Sequence, residues 1–360
     1  MGADPISSAD RALGSSAAAG RSESVLFFST TSGERLGERS LTKQMAQAPI
    51  LLLGEVHDDA LHHRVRARLM LDWVKHVPDR PAVIVFEHLD REHDQALSLA
   101  QRQPAAGGKV EPGLAELLAA ARFDRESWGW PAHLPLFEAA QASGARWIAA
   151  NFSRASAQRL SRDPSLAVDP ALQAMVESAR WSPEAQQALA QALVRGHCQQ
   201  SMPAASLERI LRIQRLRDAA LALPLLDASE RRSVLLAGNG HVRRDHGVPL
   251  YLGAYEREAL VIGFEQVAET EIKVSARDHS KEGSELARVV GTTRAGELGN
   301  AYDVVALTMV PSSKDHCAEI EALRKTSTGP PAGPGAGTGA GTGADTATVN
   351  PAAPTQTPSR

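Results

Sequence analysis

Ile50-Leu51-Leu52-Leu53 runs directly into Gly54-Glu55-Val56-His57-Asp58. An apolar run of this length without polar alternation reads as a strand buried on both faces, the pattern of a parallel sheet covered by helices. The arrangement recurs along the chain. Ala82–Phe86 leads into Glu87-His88, Arg146–Ala150 into Asn151, and Val234–Ala237 into Gly238-Asn239-Gly240-His241. Runs 259–264 and 303–309 extend the sheet or form its edge.

Helical patterns fill the intervals. Leu61, Val65, Leu69 and Trp73 repeat every four residues beside Arg64, Arg66, Arg68 and Asp72, which predicts an amphipathic helix with one core-facing stripe. Leu114–Ala121, His133–Ala142, Pro183–Val194 and Pro203–Leu223 read the same way. Pro183 and Pro203 stand near helix starts, where a missing amide donor costs little. The alternation gives an α/β fold: a mainly parallel central sheet flanked by helices.

The ends differ from the middle. Residues 1–24 are small and polar and read as a disordered leader, without the apolar core of a signal peptide. Residues 326–360 are mostly Gly, Ala, Pro and Thr, and only Asp345 and Arg360 are charged, a composition that cannot offset its own ordering entropy. Residues 25–325 are left as one α/β domain. Both signs of charge are interleaved to a net of -3 and aromatics make up 4%, which argues against a nucleic-acid binder. No run is long and apolar enough for a membrane span. Cys198 and Cys317 are free thiols or a single bridge, with both open.

Parallel strands would bring their polar ends to one edge of the sheet. In open α/β folds ligands bind in the crevice outside the carboxyl ends of the strands. Each residue has a plainer reading. Glu55 or Glu87 alone could be an exposed turn residue or a helix-cap partner, and His241 could sit in a Gly-Asn-Gly turn. Glu, His, Glu, Asn and His behind successive core strands favour a clustered site. Two carboxylates and two imidazoles suit a divalent metal held by Glu55, His57, Glu87 and His241, or acid–base work. Gly54, Gly238 and Gly240 let backbone approach a ligand.

Around this cluster, His62 and His63 open the following helix, and one of them could stand over the strand ends, with His63 favoured. His88 and His93 read as surface residues. His197-Cys198 and His316-Cys317 have the types of a soft metal site, but nothing in the sequence brings them together. Gln214, Arg217 and Asp218 share a helix face, which is either solvated or turned into the crevice, with Arg217 on a carboxylate of Glu87 or of a ligand. Trp128-Gly129-Trp130-Pro131 lines a pocket or packs in the core. There is no phosphate-loop motif, no third glycine of a dinucleotide fingerprint, no G-x-S-x-G elbow and no C-x-x-C-H.

Gly54-Glu55-Val56-His57-Asp58 with His62-His63, then Phe86-Glu87, Asn151, His197-Cys198, Gln214 with Arg217-Asp218-Ala219, and Ala237–His241 together resemble the ChaN-like family of iron-regulated, haem-binding bacterial proteins. The likeness spans about residues 49–252. The wider superfamily includes erythromycin-esterase-like hydrolases and the Tiki/TraB group, whose Glu and Gly-x-x-His elements match Glu55, Glu87 and Gly238–His241 here.

The resemblance implies haem binding in iron acquisition or handling, usually as a lipoprotein of the cell envelope or periplasm. No signal peptide or lipobox cysteine is visible near the start. His62, His63, Tyr251 and Tyr255 are candidate axial ligands, and His57, Asn151, Arg217, Gly238 and Gly240 candidate cofactor contacts. The alternative is a hydrolase of ester or peptide-like bonds using Zn, Mn or Fe, with Glu55, Glu87 and His241 catalytic. The expected partner is haem or a small-molecule ligand, and a homodimer stays open.

Overall fold

The computed structural model describes residues 25–76, 81–102, 113–198, 202–227, 232–269, 283–311 and 317–318. The expected leader and tail lie outside these residues. The strands are β1 (Val25–Ser29), β2 (Arg35–Leu36), β3 (Ile50–Leu53), β4 (Ala82–Asp90), β5 (Arg146–Asn151), β6 (Arg232–Leu236), β7 (Leu260–Ala268) and β8 (Val304–Val310). They form one sheet in the order β2-β1-β8-β7-β3-β6-β4-β5. From β8 to β5 every neighbouring pair is parallel, whereas β1 pairs antiparallel with both β8 and β2. The two runs left as extension or edge lie inside the sheet, because β1 covers the outer side of β8.

Side chains alternate across the sheet, so each strand feeds two cores. Ile50 and Leu52 face one core with Val85 and Leu235. Helix Ala204–Asp227 packs there through Leu216, Ala219 and Leu225. Leu51 and Leu53 face the other core with Ile84, Phe86 and Leu236. Helices Ala60–His76 and Leu134–Ala142 cover that side through Val65, Leu69, Trp73 and Phe137. Burial on both faces is what makes the strand sequences continuously apolar.

Register sets the height of the site. Leu53 pairs with Leu236, and Leu236 with Phe86. Gly54, Glu87 and Ala237 therefore leave the ladder at one level. β4 runs on to Asp90 with a register shift after Phe86. Chain packing is tight here. A Cβ on Gly54 would lie within 3 Å of Val242 and against the Asn239 amide oxygen. The Asn239 side chain in turn accepts from the Phe264 amide at 3.1 Å and donates to its carbonyl, tying the turn after β6 to β7.

Two expectations are corrected. Arg66 belongs to the buried face of its helix, not to the polar flank, because it turns inward to a carboxylate. His88 is buried, because β4 continues through it instead of ending in a surface turn. The open question about the cysteines is answered: Cys198 and Cys317 form a disulfide with Cα atoms 5.3 Å apart. His316 lies outside the described residues. Among the described residues no helix is long and apolar enough to cross a membrane.

Candidate functional site

Glu55 follows β3 and its side chain is fully buried beneath the strand ends. Its Oε2 is paired with the Arg66 guanidinium and lies 3.0 Å from His63 Nδ1. Its Oε1 lies 2.7 Å from His57 Nδ1, 3.2 Å from His88 Nε2 and 3.7 Å from His133 Nε2. The helix supplies His63 and Arg66 from successive turns, β4 supplies His88, and His133 caps the helix Leu134–Ala142. Burial pushes the His63 imidazole down to about 4. Burial lowers His88 and His133 too, helped by the charge of Arg66 on His88 and by His63 beside His133. These three imidazoles are neutral at neutral pH.

The second carboxylate has a different setting. Glu87 Oε2 accepts the Gly238 amide at 2.6 Å, and Oε1 lies 3.1 Å from His241 Nε2. His241 Nδ1 lies 2.6 Å from Asp218 Oδ1 and 3.2 Å from the Gln214 amide nitrogen. Burial opposes the charge on His241, but Glu87 and Asp218 outweigh it and raise the group to about 10. Burial would raise Glu87, yet His241 and the Gly238 amide hold it well below the usual range. Burial lifts Asp218 to about 6. At neutral pH the chain Glu87–His241–Asp218 is an imidazolium clamped between carboxylates.

The two halves meet at His57. Its side chain is 35% exposed, and its Nδ1 is anchored on Glu55. A Cβ on Gly238 would stand 2.8 Å from His57 Nε2 and 3.6 Å from Glu87 Oε2, so a side chain there would close the space between the halves. Trp128 sets its ring edge-on to His57, with centroids 5.1 Å apart, and tilts against His88 at 4.6 Å. The Trp128-Gly129-Trp130 oddity therefore borders the site.

The structure thus brings Glu55, His57, His63, Glu87, Gly238 and His241 together. Asn151 stands further along the edge, where its amide donates to Asp90. Arg217 lends its charge to Asp90 and Asp218, while Glu87 is held by Gly238 and His241. Gly240 has open space where a Cβ would point. Tyr251 is buried and its hydroxyl donates to the Arg215 carbonyl, whereas Tyr255 is 48% exposed. His62, also buried, bonds the Val56 amide and the Thr308 hydroxyl. A surface hollow of about 320 Å³ lies beyond β5, lined by Arg91, Phe152 and Arg159, among others, and shares none of the cluster's residues.

Sequence reasoning missed Arg66 and His133 and misplaced His88. Arg66 carried a signal: it is three and four residues past His63 and His62, on their helix face. His133 carried none.

Among the described residues, Glu55, His88 and His133 offer donor atoms all within 4.8 Å of one another. The metal set read from sequence shares Glu55 alone with that group.

Residues 41–252 match the family described as "Haem-binding uptake, Tiki superfamily, ChaN". The structure resembles ChaN of Campylobacter jejuni, described with cofacial haem binding, at TM-score 0.59 and 15% identity. The match covers 79% of this chain and 96% of that one. An erythromycin esterase variant in its open conformation matches at TM-score 0.41 and 14% identity, covering 80% of this chain and 98% of that one. No curated protein matches the chain.

Proposed function

The chain belongs to the ChaN family of haem-binding uptake proteins in the Tiki superfamily, and from this premise we propose that it binds haem and acts in iron acquisition or handling. The observation that carries the reading is the extent of the family match. Residues 41–252 contain Glu55, His57, Glu87, Asp218 and His241, the whole of the polar crevice.

Haem presents an iron whose axial positions need an accessible imidazole, phenolate or thiolate. Exposure sorts the candidates. His62, His63 and Tyr251 are wholly buried and engaged in the core, so they reach a porphyrin only if the core opens. His57 and Tyr255 are accessible, and His57 also lies within the matched region. The fit at His57 is good. Its Nδ1 is held by Glu55, as a carboxylate orients a metal-bound imidazole, and Gly238 leaves its Nε2 uncovered. Trp128 supplies an apolar flank. Asn151 and Gly240 line the same edge of the sheet. The Cys198–Cys317 disulfide fits an oxidising compartment, which supports the cell envelope as the place of action.

Mixing the purified chain with hemin tests the proposal. A shifted Soret band is expected, reduced or lost in His57→Ala and kept in Tyr255→Phe. No shift at micromolar hemin would sink it. Loss in Tyr255→Phe alone would move the ligand to the tyrosine.

A second reading rests on the Glu87–His241–Asp218 chain. Clamped between carboxylates, His241 is a proton donor and charge stabiliser, and Glu87 its ionised partner, an arrangement suited to hydrolysis of an ester or peptide-like bond. Turnover of an activated ester that disappears in Glu87→Gln would support it. Absence of any turnover over buffer would remove it.

A further inference from the structure

We propose that Glu55, His88 and His133 form a buried site for a divalent transition-metal ion of the zinc type, with His63 a further imidazole beside it. This site differs from the set read from sequence and does not depend on the haem reading.

Atoms left without partners point to it. His133 is completely buried, and neither of its ring nitrogens has a hydrogen-bond partner among the described residues. An imidazole taken out of water normally finds at least one partner. His88 Nδ1 is in the same condition.

His63 supplies a separate observation. Its Nε2 lies 3.0 Å from the His57 carbonyl oxygen, which can only accept, so the proton is on Nε2. Nδ1 of the neutral ring is then a bare lone pair, and it faces Glu55 Oε2 at 3.0 Å. The Arg66 guanidinium already sits on that oxygen, so His63 Nδ1 is a spare donor beside the site, on the other oxygen of the same carboxylate.

The spacing suits such an ion. Bonds of roughly 2.1 Å in tetrahedral geometry put ligand atoms about 3.4 Å apart. Glu55 Oε1 lies 3.2 Å from His88 Nε2 and 3.7 Å from His133 Nε2. The largest separation within the group, 4.8 Å at most, closes with small rotations of the imidazoles.

Neutral imidazoles and a carboxylate are donors that zinc and its neighbours accept. The rings need lose no net proton, since His88 can move its proton to the unpartnered Nδ1. Glu55 can serve both cations, with Oε2 on Arg66 and Oε1 on the metal.

The test uses the full chain, stripped with chelator and without haem. Zn²⁺ is added with thermal unfolding as the readout, and Co²⁺ with its visible d–d bands. One equivalent of Co²⁺ with tetrahedral bands, and a rise in Tm with Zn²⁺, are expected. His133→Phe keeps the ring volume and removes the donors. It is expected to fold, by circular dichroism, and to weaken binding at least about a hundredfold, beyond the loss typical of outer-shell changes. His88→Gln gives the same result by a smaller change and serves if His133→Phe does not fold. Folded wild type that binds neither metal would overturn the proposal. So would binding kept in both variants but lost in His241→Gln. Hemin does not enter these measurements, so failure here leaves the haem reading intact, and the reverse.

Discussion

Glu87 and His241 meet at 3.1 Å, carboxylate oxygen to Nε2, while Asp218 takes the other ring nitrogen at 2.6 Å. The pair joins β4 to the turn after β6, and it fixes the protonation state of the crevice.

The pair makes stability pH-dependent in a defined direction. His241 is raised from 6.5 to about 10, so its contribution is complete below pH 6.5 and is lost as pH rises through about 10. Glu87 is depressed, so its contribution is present above 4.5 and falls away in acid. Asp218 runs the other way and costs stability as pH rises from 3.8 to about 6, before His241 begins to decline. Urea unfolding of wild type and His241→Gln is expected to differ by roughly 3 kcal/mol near pH 6, since a buried partner is orphaned. The gap should close toward pH 10. A pH-independent gap would remove the imidazolium.

Arg66 neutralises Glu55 with both side chains wholly buried. Arg66→Met leaves the carboxylate among neutral imidazoles and is expected to cost about 3–5 kcal/mol. Glu55→Gln in the same chain should return much of that loss. Denaturant curves of the single and double variants measure it. Additive losses would mean that the two groups are not coupled.

Gly238 and Gly240 separate close approach from simple flexibility. A methyl at Gly238 meets the His57 ring at 2.8–2.9 Å, so Gly238→Ala should displace that ring and cost about 1–3 kcal/mol. A methyl at Gly240 meets nothing within 4 Å and the residue is helical, so Gly240→Ala should be neutral or stabilising by up to about 1 kcal/mol. Thermal melts rank the two. Equal effects would show that Gly238 is not needed for room.

The Cys198–Cys317 bridge spans 119 residues of sequence. Cys198→Ser, or reductant on the wild type, is expected to lower stability by about 2–4 kcal/mol. Unfolding with and without reductant checks this. An unchanged midpoint would mean the bridge constrains little of the unfolded chain.

The strands were legible because burial on both faces writes itself as unbroken Ile, Val and Leu, as in Ile50–Leu53. Parallel order then placed Glu55, Glu87, Gly238 and His241 at one edge. The reading weakened where a polar residue is buried by a partner far along the chain. Arg66 looks like a helix flank until Glu55 is seen against it, and His88 looks like a turn residue until β4 passes through it. His133 stands at the start of a legible helix, but nothing in that pattern shows that its first residue turns to Glu55.

By itself, then, the sequence determined the α/β layering and which strand ends carry chemistry, because apolar periodicity and local backbone preference act over a few residues. Tertiary structure alone decided the division of labour. It gave Glu55 a shell of neutral imidazoles and Arg66, and gave Glu87 a charged His241. Charge state in a buried site depends on which distant groups share the low-dielectric space, and that is a property of the packed fold.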